Sequence, residues 1–122
     1  MKMTDKYYEL MRSHRDWENY INNELMSLGV PQDLHGYYYL MVGIMLSAED
    51  INLAIKSVTK ELYPKIADIC DTTPLRVERC MRHAIENIGS YEIFGNTYSA
   101  HAGNPTNSAF IAFLANKVRR AF

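Results

Sequence analysis

Arg76, Arg79 and Arg82 recur at intervals of three, with Glu78 between the first two and His83 one helical turn beyond Arg79. Arginine presents a planar fork of donors that matches guanine O6/N7 or a phosphate. Glu78 can accept from cytosine N4, or hold an arginine in position. A basic set of this kind is the chemistry of nucleic-acid contact. Other chemistries find less material. Cys70, Cys80 and His83 form the most metal-like group, but a structural zinc site wants four ligands in two tight pairs, so no metal is expected. The two cysteines read instead as small buried residues. His14 lies on an apolar stripe and reads as a core or boundary histidine. Tyr37, Tyr38 and Tyr39 could stack on bases, but three consecutive helical residues fan over three faces, so at least one must be core. No phosphate-binding loop, dinucleotide fingerprint, zinc-protease or serine-hydrolase motif is present. The expectation is a protein that catalyses no reaction and needs no cofactor.

The elements that must position the arginines are legible from caps and periodicity. Thr73 is an N-cap candidate, Pro74 suits a first turn, and Gly89 is a stop, which predicts a helix over 74–88. Val77, Met81, Ala84 and Ile88 fall on one stripe of it and the arginines off that stripe. Pro64 suits the first turn of a short helix over 64–70. The tight Asp71-Thr72-Thr73 connection between the two gives the pattern of a helix-turn-helix, in which the second helix enters the major groove. Periodicity and charge leave a second reading open, a solvated helix face laced with Glu–Arg ion pairs.

Around this pair the chain reads as helix almost throughout. Tyr7, Leu10, Met11, His14, Trp17, Ile21, Leu25 and Leu28 form an amphipathic stripe. Thr4 or Asp5 caps its start, Gly29 ends it, and a break near Ser13-His14 is left open. A second helix runs over 34–48 with Leu40, Ile44 and Met45 on its buried face. Gly36 and Gly43 weaken it by up to about 1 kcal/mol each relative to Ala, so packing must hold it. Asp50 can cap a third segment over 51–63. Residues 90–105 read as loop, with one helical turn around 91–94. A last helix starts near Thr106-Asn107-Ser108 and buries Phe110, Ile111, Leu114 and Val118. Alternation of period two never persists. The predicted fold class is all-α, about six helices around one core, with a helix-turn-helix.

The 122 residues suit one ordinary domain, and 48% hydrophobic with 22% charged residues is a globular balance. No apolar run approaches the roughly 18–20 residues of a membrane span. Two cysteines make no disulfide framework, so a reducing, cytoplasmic setting is expected. The net charge of −1 hides a gradient. Residues 1–68 carry seven basic and ten acidic side chains, and residues 69–122 carry six basic and four acidic. The six basic residues form two clusters, the three arginines of the predicted helix and Lys117, Arg119 and Arg120. Local field rather than net charge governs phosphate binding.

Several stretches together are more specific than this pattern. Leu62-Tyr63-Pro64-Lys65-Ile66-Ala67, Thr72-Thr73, Arg76-Val77-Glu78-Arg79, Arg82-His83-Ala84-Ile85-Glu86 and Pro105-Thr106-Asn107-Ser108-Ala109-Phe110-Ile111-Ala112 resemble the C-terminal effector domain of the stage 0 sporulation protein A family. Leu28-Gly29-Val30-Pro31 and Gly36-Tyr37-Tyr38-Tyr39-Leu40 do so too, and the likeness spans roughly residues 25–120, leaving 1–24 as an N-terminal helical extension. The resemblance implies a six-helix domain that binds double-stranded DNA, reads a box close to TGTCGAA, and pairs head to tail as a dimer on adjacent boxes. It implies that Arg76, Glu78, Arg79, Arg82 and His83 lie on the recognition helix, with Glu78 and Arg79 the first candidates for base reading. It also implies contact with the RNA polymerase sigma subunit through residues 89–104, here shorter than in the family and without its lysines. The family places this domain after a phosphorylated receiver; this chain reads as an effector with no receiver domain. Leu75 stands where the family tends to a small polar residue, Asp68 and Asp71 where it is more basic or neutral, and Ala109 where an acidic residue would complete a capping box. These departures support an alternative, a protein-interaction module that pairs with and modulates a full-length regulator, using a surface built on Trp17 and the tyrosines of the first helix.

Overall fold

The computed structural model describes residues 3–88 and 105–122, which form an all-helical fold around one apolar core. Among these residues the order is α1 (Asp5–Ser13), α2 (Arg15–Leu28), α3 (His35–Glu49), α4 (Asn52–Ile55), a π-helical turn (Val58–Leu62) running directly into α5 (Tyr63–Cys70), α6 (Pro74–Glu86) and α7 (Asn107–Ala121). No helix among them is long and apolar enough to cross a membrane.

Local signals set most of the ends. The Thr4, Thr73 and Thr106 hydroxyls accept from the backbone N–H groups of Tyr7, Arg76 and Ala109 at 3.1, 3.2 and 3.1 Å, each satisfying one orphan donor of a first turn. Gly29, at φ 83°, closes α2 in the left-handed conformation that glycine adopts at no steric cost. The amphipathic stripe of the N-terminal region does break. His14 leaves the helical region at φ −137°, ψ 62°, which separates α1 from α2.

Three expectations are corrected. The segment over 51–63 is not one helix. A single turn, α4, is followed by a π turn in which the Leu62 and Tyr63 amides reach back five residues to the Ser57 and Val58 carbonyls. Pro64 explains the widening, since its ring cannot donate to the Lys60 carbonyl and would crowd it in an ordinary α turn. The second correction concerns α3, which is buried on nearly every side rather than along one stripe. Tyr37, Tyr39, Met41 and Val42 join Leu40, Ile44 and Met45 inside. A helix apolar all round belongs at the centre of a fold, and α3 packs against α2, α5, α6 and α7. The third is the end of the 74–88 helix. It stops at Glu86, where the Asn87 side chain donates to the His83 carbonyl at 2.7 Å. Gly89, the turn around 91–94 and the loop as a whole up to residue 104 lie outside the described residues.

Candidate nucleic-acid interface

α5 and α6 form the helix-turn-helix. The turn is made by Asp71, left-handed at φ 55°, and by the Thr72 amide donating to the Ala67 carbonyl at 2.9 Å. Aspartate tolerates this conformation better than most non-glycine residues. Thr73 then caps α6, and Pro74 occupies a first-turn position whose N–H would have no partner.

One face of α6 is fixed by the core. Val77, Met81, Ala84 and Ile85 are buried. At about 100° per residue, positions 79, 83 and 86 project on the opposite side, with 75, 76 and 82 beside them. Arg76, Arg79, Arg82 and His83 are all exposed, and Glu78 is half-buried on the flank. The sequence-predicted residues are therefore brought to one outward surface, but they are not equivalent. Arg82 Nη1 lies 2.9 Å from Glu78 Oε1, the arrangement in which Glu78 holds an arginine in position. Neither Arg76 nor Arg79 makes an ion pair among the described residues, so their guanidinium groups stand in solvent. His83 Nδ1 is 3.5 Å from the Asn87 amide nitrogen.

The surrounding charges have been arranged by the fold. Asp68, exposed on α5, is paired with Lys6 Nζ at 3.1 Å, which offsets one acidic residue beside the helix-turn-helix. Asp71 is exposed. The C-terminal basic cluster is used largely within the molecule. Lys117 Nζ meets Glu24 Oε1 at 2.9 Å, and Arg119 Nη1 donates to the Ala48 carbonyl at 3.0 Å, tying α7 to α2 and α3. Arg76, Arg79, Arg82 and His83 thus make an outward cationic face on α6, while Arg12, Lys56, Lys60, Lys65 and Arg120 are exposed outside it.

Two positioning devices had only a faint signal in the sequence. Asn107, at the start of α7, donates from Nδ2 to the Glu78 carbonyl at 3.0 Å and to the Tyr63 hydroxyl at 3.1 Å, joining both helices of the motif. Its place in the Pro105–Ile111 stretch marked a cap, not this bridge. Asn107→Ala is expected to cost about 1–3 kcal/mol, the penalty for part-buried groups left unpaired. Urea unfolding measures it, and a change under about 0.5 kcal/mol would show that the bridge contributes little. The second device is α1. Its Thr4 hydroxyl donates to the Ile69 carbonyl, so the N-terminal helix braces α5.

The remaining candidates take structural roles. His14 Nε2 is 3.0 Å from Glu49 Oε1 and its ring stacks on Trp17 at 4.3 Å. Tyr37 and Tyr39 are buried and Tyr38 is partly so. Cys70 and Cys80 are free and partly buried, and burial pushes the Cys70 thiol up to about 12. No group of three or more metal-ligating side chains occurs among the described residues.

Residues 21–118 match the family described as Sporulation initiation factor Spo0A C terminal. The matched stretch holds α3 to α6, most of α2 and α7, and the complete helix-turn-helix, while α1 lies before it. With four-fifths of its length so covered, the chain belongs to this family of DNA-binding sporulation regulator domains.

Proposed function

We propose that this chain is a sequence-specific DNA-binding transcription regulator of the sporulation-initiation type, acting in the cytoplasm on the nucleoid. α6 enters the major groove of a TGTCGAA-like box, and phosphates are held by basic side chains and helix N-termini. The observation that carries the reading is the outward face of α6, where Arg76, Arg79, Arg82 and His83 are exposed on the second helix of a capped helix-turn-helix. Arg79 is the leading base reader. Glu78 reads a base or sets the Arg82 fork, and Arg76, Arg82 and His83 share base and phosphate contacts. The sigma-subunit contact implied by the resemblance falls within residues 89–104, outside the described residues.

The alternative of a protein-interaction module needs a free aromatic surface on the N-terminal helices. Tyr7 is buried, Trp17 and Tyr20 are half-buried, with Trp17 stacked on His14, which leaves Tyr8 as the one exposed ring among them. That favours the DNA reading.

Asp68, Asp71 and Leu75, standing where the family tends to more basic, neutral or small polar residues, predict weak binding of one domain to one box. Two adjacent boxes are expected to bind at least about tenfold more tightly, because a neighbouring domain makes the second event effectively intramolecular. Fluorescence anisotropy on one-box and two-box duplexes, at about 50 and 200 mM salt, tests this. Tight one-box binding with no gain from the second removes the pairing. No binding to either at low salt removes the DNA reading and favours the protein-interaction alternative.

A further inference from the structure

We infer that Leu75 is a specificity-determining residue that reads the 5-methyl group of a thymine in the major groove. The inference rests on the DNA reading above and extends it to a particular base atom. Leu75 is 58% exposed, one of few large apolar side chains left in water among the described residues. Single exposed leucines are common on protein surfaces, so exposure alone decides nothing. Its position does. Leu75 lies in the first turn of α6, one turn before Arg79, and both fall on the half of the helix turned away from the buried Val77, Met81, Ala84 and Ile85. The N-terminal half of a recognition helix is the part that meets base edges, and the outward positions go deepest. A leucine there has no hydrogen-bonding group for a phosphate or a polar base edge. The one apolar feature the major groove offers is the thymine methyl. The arginines around Leu75 draw the backbone in from either side, so the contact is desolvated when the helix docks.

Burial of one methyl group is worth about a fourfold change in affinity. Replacing each thymine of the box in turn by uracil deletes that methyl and leaves the hydrogen-bonding edge intact. With the wild-type chain, uracil at one thymine position is expected to weaken binding about fourfold, and uracil elsewhere to have no effect. With Leu75→Ala, the thymine and uracil duplexes are expected to bind equally. The side chain is exposed and outside the apolar core, so the variant keeps its fold, which a thermal melt verifies. A uracil scan that is flat in the wild type, or a uracil effect that persists unchanged in Leu75→Ala, overturns the inference while leaving the DNA reading in place. Failure of the wild type to prefer the box over a scrambled duplex overturns both.

Discussion

Gly36→Ala is expected to lower stability by about 2 kcal/mol, while Gly43→Ala seven residues along the same helix stays within about 1 kcal/mol of the parent. By intrinsic propensity both changes should help, by up to about 1 kcal/mol each. At Gly36 the added methyl would lie 2.2 Å from the Cys80 carbonyl oxygen and 2.8 Å from the Ala84 side chain. Those atoms belong to α6 itself, and backbone cannot step aside. The two helices must separate, at the upper end of the roughly 1–3 kcal/mol that overpacking costs. At Gly43 the nearest atoms are the tips of Ile66 and Met81, at 3.1 and 3.2 Å, which can rotate away. Urea unfolding of the two variants compares them directly. Equal effects would show that α3 and α6 do not approach as closely as described. The consequence reaches function, because this contact sets how far α6 stands from the core. A Gly36→Ala protein that remains folded is expected to bind the box less well than Gly43→Ala.

The contrast shows where sequence reading stops. Thr4, Gly29, Thr73 and Thr106 were legible as caps and stops because each acts within four residues of itself, through backbone groups every helix end leaves open. The outward face of α6 was legible for the same reason, since Val77, Met81 and Ala84 define the inward side by spacing alone. Gly36 could be seen to weaken α3 but not to admit α6, because the Cys80 carbonyl it accommodates lies 44 residues away. Asn107 had the same difficulty, reaching Glu78 across 29 residues and Tyr63 across 44. The π turn before Tyr63 depended on how a proline is absorbed, and a proline inside a helical pattern signals a boundary more readily than a widened turn. The pairing of Glu78 with Arg82 was within reach at i, i+4, yet spacing could not say whether Glu78 would face a base or its neighbour.

Arg79→Ala is expected to lose roughly 1–3 kcal/mol on the specific box, the worth of one good bidentate base contact, and far less on a random duplex. Three features single out Arg79 among the cations. It projects opposite the core, so it points along the direction of entry into the groove. It makes no ion pair among the described residues, so no internal bond must break before it meets a guanine. And Arg82, its neighbour on the same face, is already held by Glu78 at 2.9 Å. The same logic predicts a different signature for Arg76, on the flank of the face. Arg76→Ala should weaken binding to all duplexes alike and reduce the salt slope by about 0.9, the mark of one lost phosphate contact. Affinities of the two variants for box and scrambled duplexes, each across a salt series, separate the roles. Equal losses from Arg79→Ala on both duplexes would make it a phosphate contact. No loss on either would return the face to the reading of a solvated helix surface.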